Sequence, residues 1–161
     1  MKMKSLFVIL LIIIVLVLSV LIIKDISSKK FKIENIKSIH YGGITGTSMY
    51  SNYQYDIIKK DNKYLCTIKN DEEEEAHTFE IEEKDVKELE ERLNDYKISK
   101  WNGFSKNDKR ILDGYSFTLS INLENGKDVY AHGYMRYPKN YSKVSGYLTS
   151  YFNKLYERSK K

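Results

Sequence analysis

The chain has 161 residues, a net charge of +5 and one cysteine. That length suits one ordinary hydrophobic core, and a lone cysteine excludes an internal disulfide framework. Residues 1–30 carry five lysines against one aspartate, whereas residues 31–161 hold 22 basic and 21 acidic side chains. The excess charge therefore lies at the amino-terminal end, and no basic helix with interleaved aromatics points to nucleic acid.

Residues 6–23 read LFVILLIIIVLVLSVLII, with Ser19 the one polar side chain. At ~1.5 Å per residue a helix here spans about 27 Å, close to the hydrocarbon thickness of a bilayer. Residues 1–30 are thus expected to form a transmembrane anchor with basic flanks, with the lipid bilayer as partner through 6–23. A cleaved signal peptide fits less well, because the apolar run is long and no A-x-A-like site follows it. A lipoprotein needs a cysteine just after the run, and Cys66 is too far along. Counting Lys2 and Lys4 against Lys24, Lys29, Lys30 and Lys32 places the C-terminal side in the cytoplasm. The layout of short basic tail, apolar run and domain is that of a signal-anchor, which places the domain outside. The extracytoplasmic orientation is the one adopted.

Residues 31–161 read as a single α+β domain: a mainly antiparallel sheet with two helices packed on it. A first strand is expected over 31–41, ending at Gly42-Gly43, followed by a Gly/Ser/Thr loop to residue 51. Strands at 53–59 and 64–69 are separated by the turn residues Asp61 and Asn62. An acidic loop, 71–75, leads to a short strand at 78–81. A helix starting at Glu83 to Asp85 runs to about Tyr96, because Val86, Leu89, Leu93 and Tyr96 fall on one stripe. A loop holding Trp101, Gly103 and Phe104 leads to Asp113-Gly114. The last helix carries Val144, Leu148, Phe152 and Leu155.

Between them lies a hairpin whose register can be argued. Tyr115, Phe117, Leu119, Ile121 and Leu123 alternate with polar residues, as do Val129, Ala131, Gly133 and Met135. A two-residue Asn125-Gly126 turn pairs Leu119 with His132 and puts Arg136 on the apolar face. A three-residue loop, Glu124-Asn125-Gly126 with Gly126 at positive φ, pairs Ile121 with Val129, Leu119 with Ala131 and Thr118 with His132. A one-residue slip exchanges the faces, so the hydrophobic pattern selects the longer loop. Ala131 and Gly133 then leave shallow ground for the helix carrying Leu148 and Phe152. Cys66 alternates with Tyr64 and Ile68, which makes it a buried thiol.

The stretch 101–141 contains W-N-G-F at Trp101, Asn102, Gly103 and Phe104. It continues with L-D-G-x-S-F at Leu112, Asp113, Gly114, Ser116 and Phe117. Gly126, Ala131, Gly133, Pro138 and Tyr141 complete the pattern. This resembles a family of uncharacterised bacterial lipoproteins and membrane-anchored proteins. The resemblance implies an extracytoplasmic α+β domain, with the transmembrane helix replacing the lipid; it implies no reaction and no catalytic residue.

No catalytic or cofactor signature is present. His40, His77 and His132 lack metal-ligand spacing, so no metal is expected. The acids at 71–75 lack the alternating ligands and glycine of an EF-hand loop. Gly42, Gly43 and Gly46 are not followed by G-K-[ST], and Gly-x-Ser-x-Gly is absent. Fourteen tyrosines are the remaining feature. Tyr130 and Tyr134 share the polar hairpin face with His132 and Arg136, and these four are the candidate binding face, since tyrosine offers contact area at small entropic cost. The expected function is a membrane-anchored, non-enzymatic envelope domain that binds a protein, peptide or cell-wall component, with no cofactor. The alternative is an extracytoplasmic hydrolase with a site assembled from scattered residues such as Asp113, His132 and Arg136.

Overall fold

The computed structural model describes residues 12–16, 31–44, 52–70, 75–111 and 113–161. The chain divides into two compact units, Met1–Phe31 and Lys32–Lys161. In the first, residues 12–16 are α-helical. Most of the expected span 6–23 lies outside the described residues, and no helix among the described residues is long and apolar enough to cross a membrane.

The second unit is an α+β domain built on one seven-stranded sheet. Its strands are β1 (Ile36–Ile44), β2 (Asn52–Lys60), β3 (Lys63–Asn70), β4 (His77–Ile81), β5 (Phe104–Asn107), β6 (Ser116–Leu123) and β7 (Asp128–Tyr134). Their spatial order is β4-β3-β2-β1-β6-β7-β5. Every pairing is antiparallel except β5 with β7. Helices α1 (Glu83–Asp95) and α2 (Tyr141–Ser159) complete the domain, with a short 3-10 turn at Ile98–Trp101.

Strand alternation decides which face is core. Ile39, Tyr41, Tyr55, Ile57, Cys66, Ile68, Phe117, Leu119, Ile121, Val129 and Ala131 are buried. From the helices, Val86, Leu89, Leu93, Val144, Leu148, Phe152 and Leu155 are buried with them. The ring of Phe152 stacks on Tyr55 with centroids 4.7 Å apart. The intervening positions, such as His40, Asp56, Thr67, Thr118, Tyr130 and His132, are partly or fully exposed on the opposite face.

The β2–β3 connection is the two-residue turn expected from Asp61 and Asn62. Both residues have positive φ, 49° and 62°, and Lys60 pairs with Lys63, which is the twist-matched primed turn. The β6–β7 hairpin has the expected register: Ile121 opposite Val129, Leu119 opposite Ala131, Thr118 opposite His132. Gly126 has φ +79°, as the three-residue loop requires.

Four expectations need correction. β1 does not run over 31–41 and end at Gly42-Gly43 but starts at Ile36 and continues to Ile44. Glycine is needed there because a Cβ on Gly43 would collide with the Ser116 carbonyl and lie 2.9 Å from the Tyr53 hydroxyl. The stretch after Trp101 is not all loop: Phe104–Asn107 adds to the sheet edge, parallel to β7. Gly133 offers no ground to a helix, since the Phe117 ring and the Arg136 carbonyl occupy the space beside it. Arg136 is not a strand residue, because β7 ends at Tyr134 and Met135 turns the chain with φ 52°. The remainder of the expected loop, 45–51, and the acidic residues 71–74 lie outside the described residues.

Side chains of α1 fasten the segment before β1. Asn94 Oδ1 accepts the Ile33 N–H at 2.8 Å, and Asn94 Nδ2 donates to the Ile33 carbonyl at 2.7 Å. Glu90 Oε1 accepts the buried N–H of Ile36 at 2.8 Å. These bonds satisfy backbone groups of Ile33 and Ile36 at the entry to β1.

Candidate functional site

Where β1, β2, the start of β6 and the first turns of α2 meet, tyrosines surround a hollow of about 570 Å³. Its lining is Ile44, Tyr53, Tyr55, Tyr115, Ser116, Tyr137, Tyr141, Ser142, Ser145 and Thr149. Tyr55 is buried at the base, while Ile44, Tyr115 and Tyr137 stay 45%, 50% and 38% exposed. Apolar side chains thus remain in contact with water at the mouth of a concave surface, the usual mark of a binding site.

The rings hold one another in place. Tyr137 stacks on Tyr141 with centroids 4.5 Å apart and planes at 20°. Tyr141 in turn lies 4.6 Å from the buried Phe117. Tyr137 also donates its hydroxyl to the Tyr115 carbonyl at 3.2 Å. Below, Tyr53 donates to the Tyr41 oxygen at 3.3 Å, and Tyr41 to Ser145 Oγ at 2.7 Å. Burial and the neighbouring Tyr41 hydroxyl push the Tyr53 phenol well above its usual pKa, and burial does the same to Tyr141. These two phenols therefore stay uncharged at neutral pH. Among the described residues no Asp, Glu, Lys, Arg or His lines the hollow.

A second, polar hollow of about 420 Å³ opens on the helix-free sheet face, lined in part by His40, Gly42, Gln54, Lys69 and Thr118. Here His40 and Asp56 face each other across β1 and β2. The Nδ1–H of His40 donates to Asp56 Oδ1 at 2.8 Å, and Gln54 Nε2 donates to Asp56 Oδ2 at 2.7 Å. The hydrogen bond from Asp56 raises the His40 pKa, partial burial opposes it, and the Asp56 charge adds to the rise. The ring reaches along its own strand, with Nε2 near the space above Gly42.

Three of the four residues expected to form one binding face, Tyr130, His132 and Tyr134, share the non-core face of β7, and Arg136 lies beyond the strand. Tyr130 is 48% exposed on β7. His132 Nδ1 lies 3.2 Å from Thr118 Oγ1, and Tyr134 is half-buried on the same strand. Arg136, beyond the strand, pairs with the buried Asp108 at 2.9 Å. Arg110 also pairs with that carboxylate and, with Arg136, holds its pKa well below the usual range. Asp113 is exposed just before β6. Among the described residues no hydrogen bond or ion pair joins Asp113, His132 and Arg136.

The residues carrying the sequence resemblance act on architecture. Asn102 Oδ1 accepts the Tyr130 N–H at 3.0 Å, and the Gly103 N–H donates to the Tyr130 carbonyl at 2.9 Å. Trp101 is buried and donates its indole N–H to the Lys139 carbonyl at 3.2 Å. The W-N-G segment thereby fastens the outer edge of β7 and leads into β5. Compared with known proteins, the chain matches no family model, no curated protein and no solved structure. Among the described residues no group of three or more His, Cys, Asp or Glu side chains is placed to hold a metal ion.

The tyrosine hollow was not visible in the sequence. Its residues run from Ile44 to Thr149 and come from separate elements. The one available signal was the number of tyrosines, and strand alternation directed attention to Tyr130 and Tyr134 instead.

Proposed function

We propose that the protein is a membrane-anchored, non-enzymatic envelope domain that binds a protein, peptide or cell-wall component through the tyrosine-lined hollow. The observation that carries this reading is the exposed rim of Ile44, Tyr115 and Tyr137 around a cavity without charged lining among the described residues. Its volume is that of a small-ligand or short-chain site. For the anchor, support comes from the apolar run 6–23 and from the helical residues 12–16. All five of those side chains are between 49% and 59% exposed, and a helix that is apolar all round suits lipid rather than water. The motif at 101–141 and the signal-anchor layout support an extracytoplasmic domain.

A photo-reactive side chain placed at Tyr115 in the full-length protein, in its native envelope, tests the site. An adduct from that position, abolished by Tyr137→Ala, is the expected result. Adducts from a probe at Tyr130 alone would move the site to the face of Tyr130, His132, Tyr134 and Arg136. The hydrolase alternative draws its support from the His40–Asp56 pair, because an imidazole oriented by a carboxylate is a general-base arrangement. Turnover of an envelope substrate that His40→Ala abolishes would favour it.

A further inference from the structure

At the β5 edge of the sheet, the 3-10 turn, β5 and the residues leading into α2 enclose a further hollow of about 460 Å³. Four lysines line it: Lys97, Lys100, Lys106 and Lys139. The Lys100 N–H donates to the Lys97 carbonyl at 3.0 Å, closing the turn that carries both. Strand alternation puts Phe104 and Lys106 on one face of β5, with Lys106 Nζ 5.6 Å from the centre of the Phe104 ring. Lys143 adds a fifth ammonium group, 5.6 Å from the centre of the Tyr96 ring, which also lines the hollow. Like charges gathered around one concavity repel one another, and they focus a positive field that draws anions. Lys59, Lys63, Lys84, Lys87 and Lys160 pair with carboxylates, whereas among the described residues no ion pair engages the four lysines of the hollow. Lys97 carries a further mark. It follows the last turn of α1 in the left-handed region, φ 58° and ψ 44°, where glycine or asparagine is the ordinary occupant. A side chain kept there against the backbone preference points to a use for it.

We propose that this lysine-lined hollow binds phosphate groups held close together, in a free oligophosphate or in the headgroups of an anionic lipid. It is a second site, sharing only Tyr137 with the lining of the tyrosine hollow. Carboxylates are best met by the planar fork of arginine. The two arginines nearby in the chain, Arg110 and Arg136, are already bound to Asp108. Lysine supplies a compact charge with three rotatable donors, which suits the tetrahedral oxygens of phosphate. A phosphate monoester carries about two negative charges, so four lysines match two phosphate groups or more.

The test is calorimetric titration of the full-length protein in a nonionic, phosphate-free detergent. The probes are inorganic tripolyphosphate, short-chain dihexanoyl phosphatidylglycerol and a hexaglutamate peptide. Tripolyphosphate is expected to bind, and Lys100→Ala and Lys139→Ala should each weaken it about fivefold. Both side chains are exposed, and the thermal transition of each variant checks folding. Lys97→Gly should weaken binding as much while the thermal transition holds or rises, because glycine relieves the left-handed backbone. Lys154→Ala removes the same charge from an exposed position, about 21 Å along α2 from Asn140, and should leave binding unchanged. Absence of tripolyphosphate binding would overturn the proposal. So would affinity unchanged in Lys100→Ala and Lys139→Ala, or an equal loss in Lys154→Ala, which would show only a diffuse field. Tighter binding of hexaglutamate would overturn phosphate in favour of an acidic peptide. Phosphatidylglycerol binding tighter than tripolyphosphate, with the same lysine dependence, assigns the phosphates to lipid; the reverse order assigns them to a free oligophosphate.

Discussion

His40 derives its charge state from a residue on the neighbouring strand. The Asp56 hydrogen bond raises its pKa above the usual histidine value against the opposing effect of partial burial. Gln54 donates to the same carboxylate, and Lys69 lines the same hollow. A folded-state pKa above the unfolded one means that protonated His40 contributes stability in full below about pH 6.5, lost as pH rises through the folded value. An NMR titration should give a His40 pKa above 6.5, and Asp56→Asn should lower it; identical values in both proteins would contradict this account. Tyr147 is the opposite case. Its hydroxyl oxygen is buried with no hydrogen-bond partner among the described residues, and burial pushes its pKa up to about 12. Removing an unsatisfied buried hydroxyl relieves a desolvation cost, so Tyr147→Phe should stabilise the domain by about 1 kcal/mol in denaturant unfolding. Neither environment was readable from the sequence, because each depends on partners brought in by the fold: Asp56 on β2, Tyr96 and Tyr151 around Tyr147.

Elements were legible where one local pattern determined them. The β6–β7 register followed from alternation and a single glycine, and it can be tested at two positions. Gly126→Ala places a Cβ at φ +79° and should cost about 1 kcal/mol. Leu119, fully buried opposite Ala131, should cost about 2–5 kcal/mol as Leu119→Ala. Equal losses at both sites would contradict the assignment of faces. β5 was not legible, since FSKN is short, mostly exposed and paired in parallel with β7 through contacts distant in sequence. The link between the two helices was equally hidden. Arg158, near the end of α2, donates to Asp85 at 2.9 and 2.6 Å, while Asp85 also closes the capping box of α1. Burial raises the Asp85 pKa, but the hydrogen bonds and charge of Arg158 outweigh it and leave the carboxyl below its usual value. That contribution is present above about pH 3.9 and is lost as pH falls through the folded value. Arg158→Met strands a buried carboxylate, yet Arg158 is 43% exposed. Solvent screening therefore reduces the expected loss to about 1–3 kcal/mol, measured at neutral pH. A loss that persists undiminished in acid would contradict the assignment.

For the whole molecule, the division at residue 31 coincides with a change in composition. Before it lies the apolar run of residues 6–23; after it the chain folds a seven-stranded sheet with helices on one face. If the run spans the bilayer, the full-length protein should stay in membranes through a carbonate wash. Recovery of soluble protein beginning near residue 28 would identify a cleaved signal instead. The side of the membrane can be read from the same preparation. Lysine counting places the domain inside, whereas the signal-anchor layout places it outside, and protease added to intact protoplasts distinguishes the two. An outside domain is degraded there, and full protection until lysis would make the lysine count the correct guide. Cys66 supplies an independent check on the folded state in that experiment. It is fully buried, and burial together with the nearby Asp56 charge pushes its thiol up to about 12. A thiol reagent reacts with the thiolate, so labelling should be slow on either side until the domain is unfolded. Rapid labelling of intact protoplasts by a membrane-impermeant reagent would show both that the domain faces outward and that its core is open.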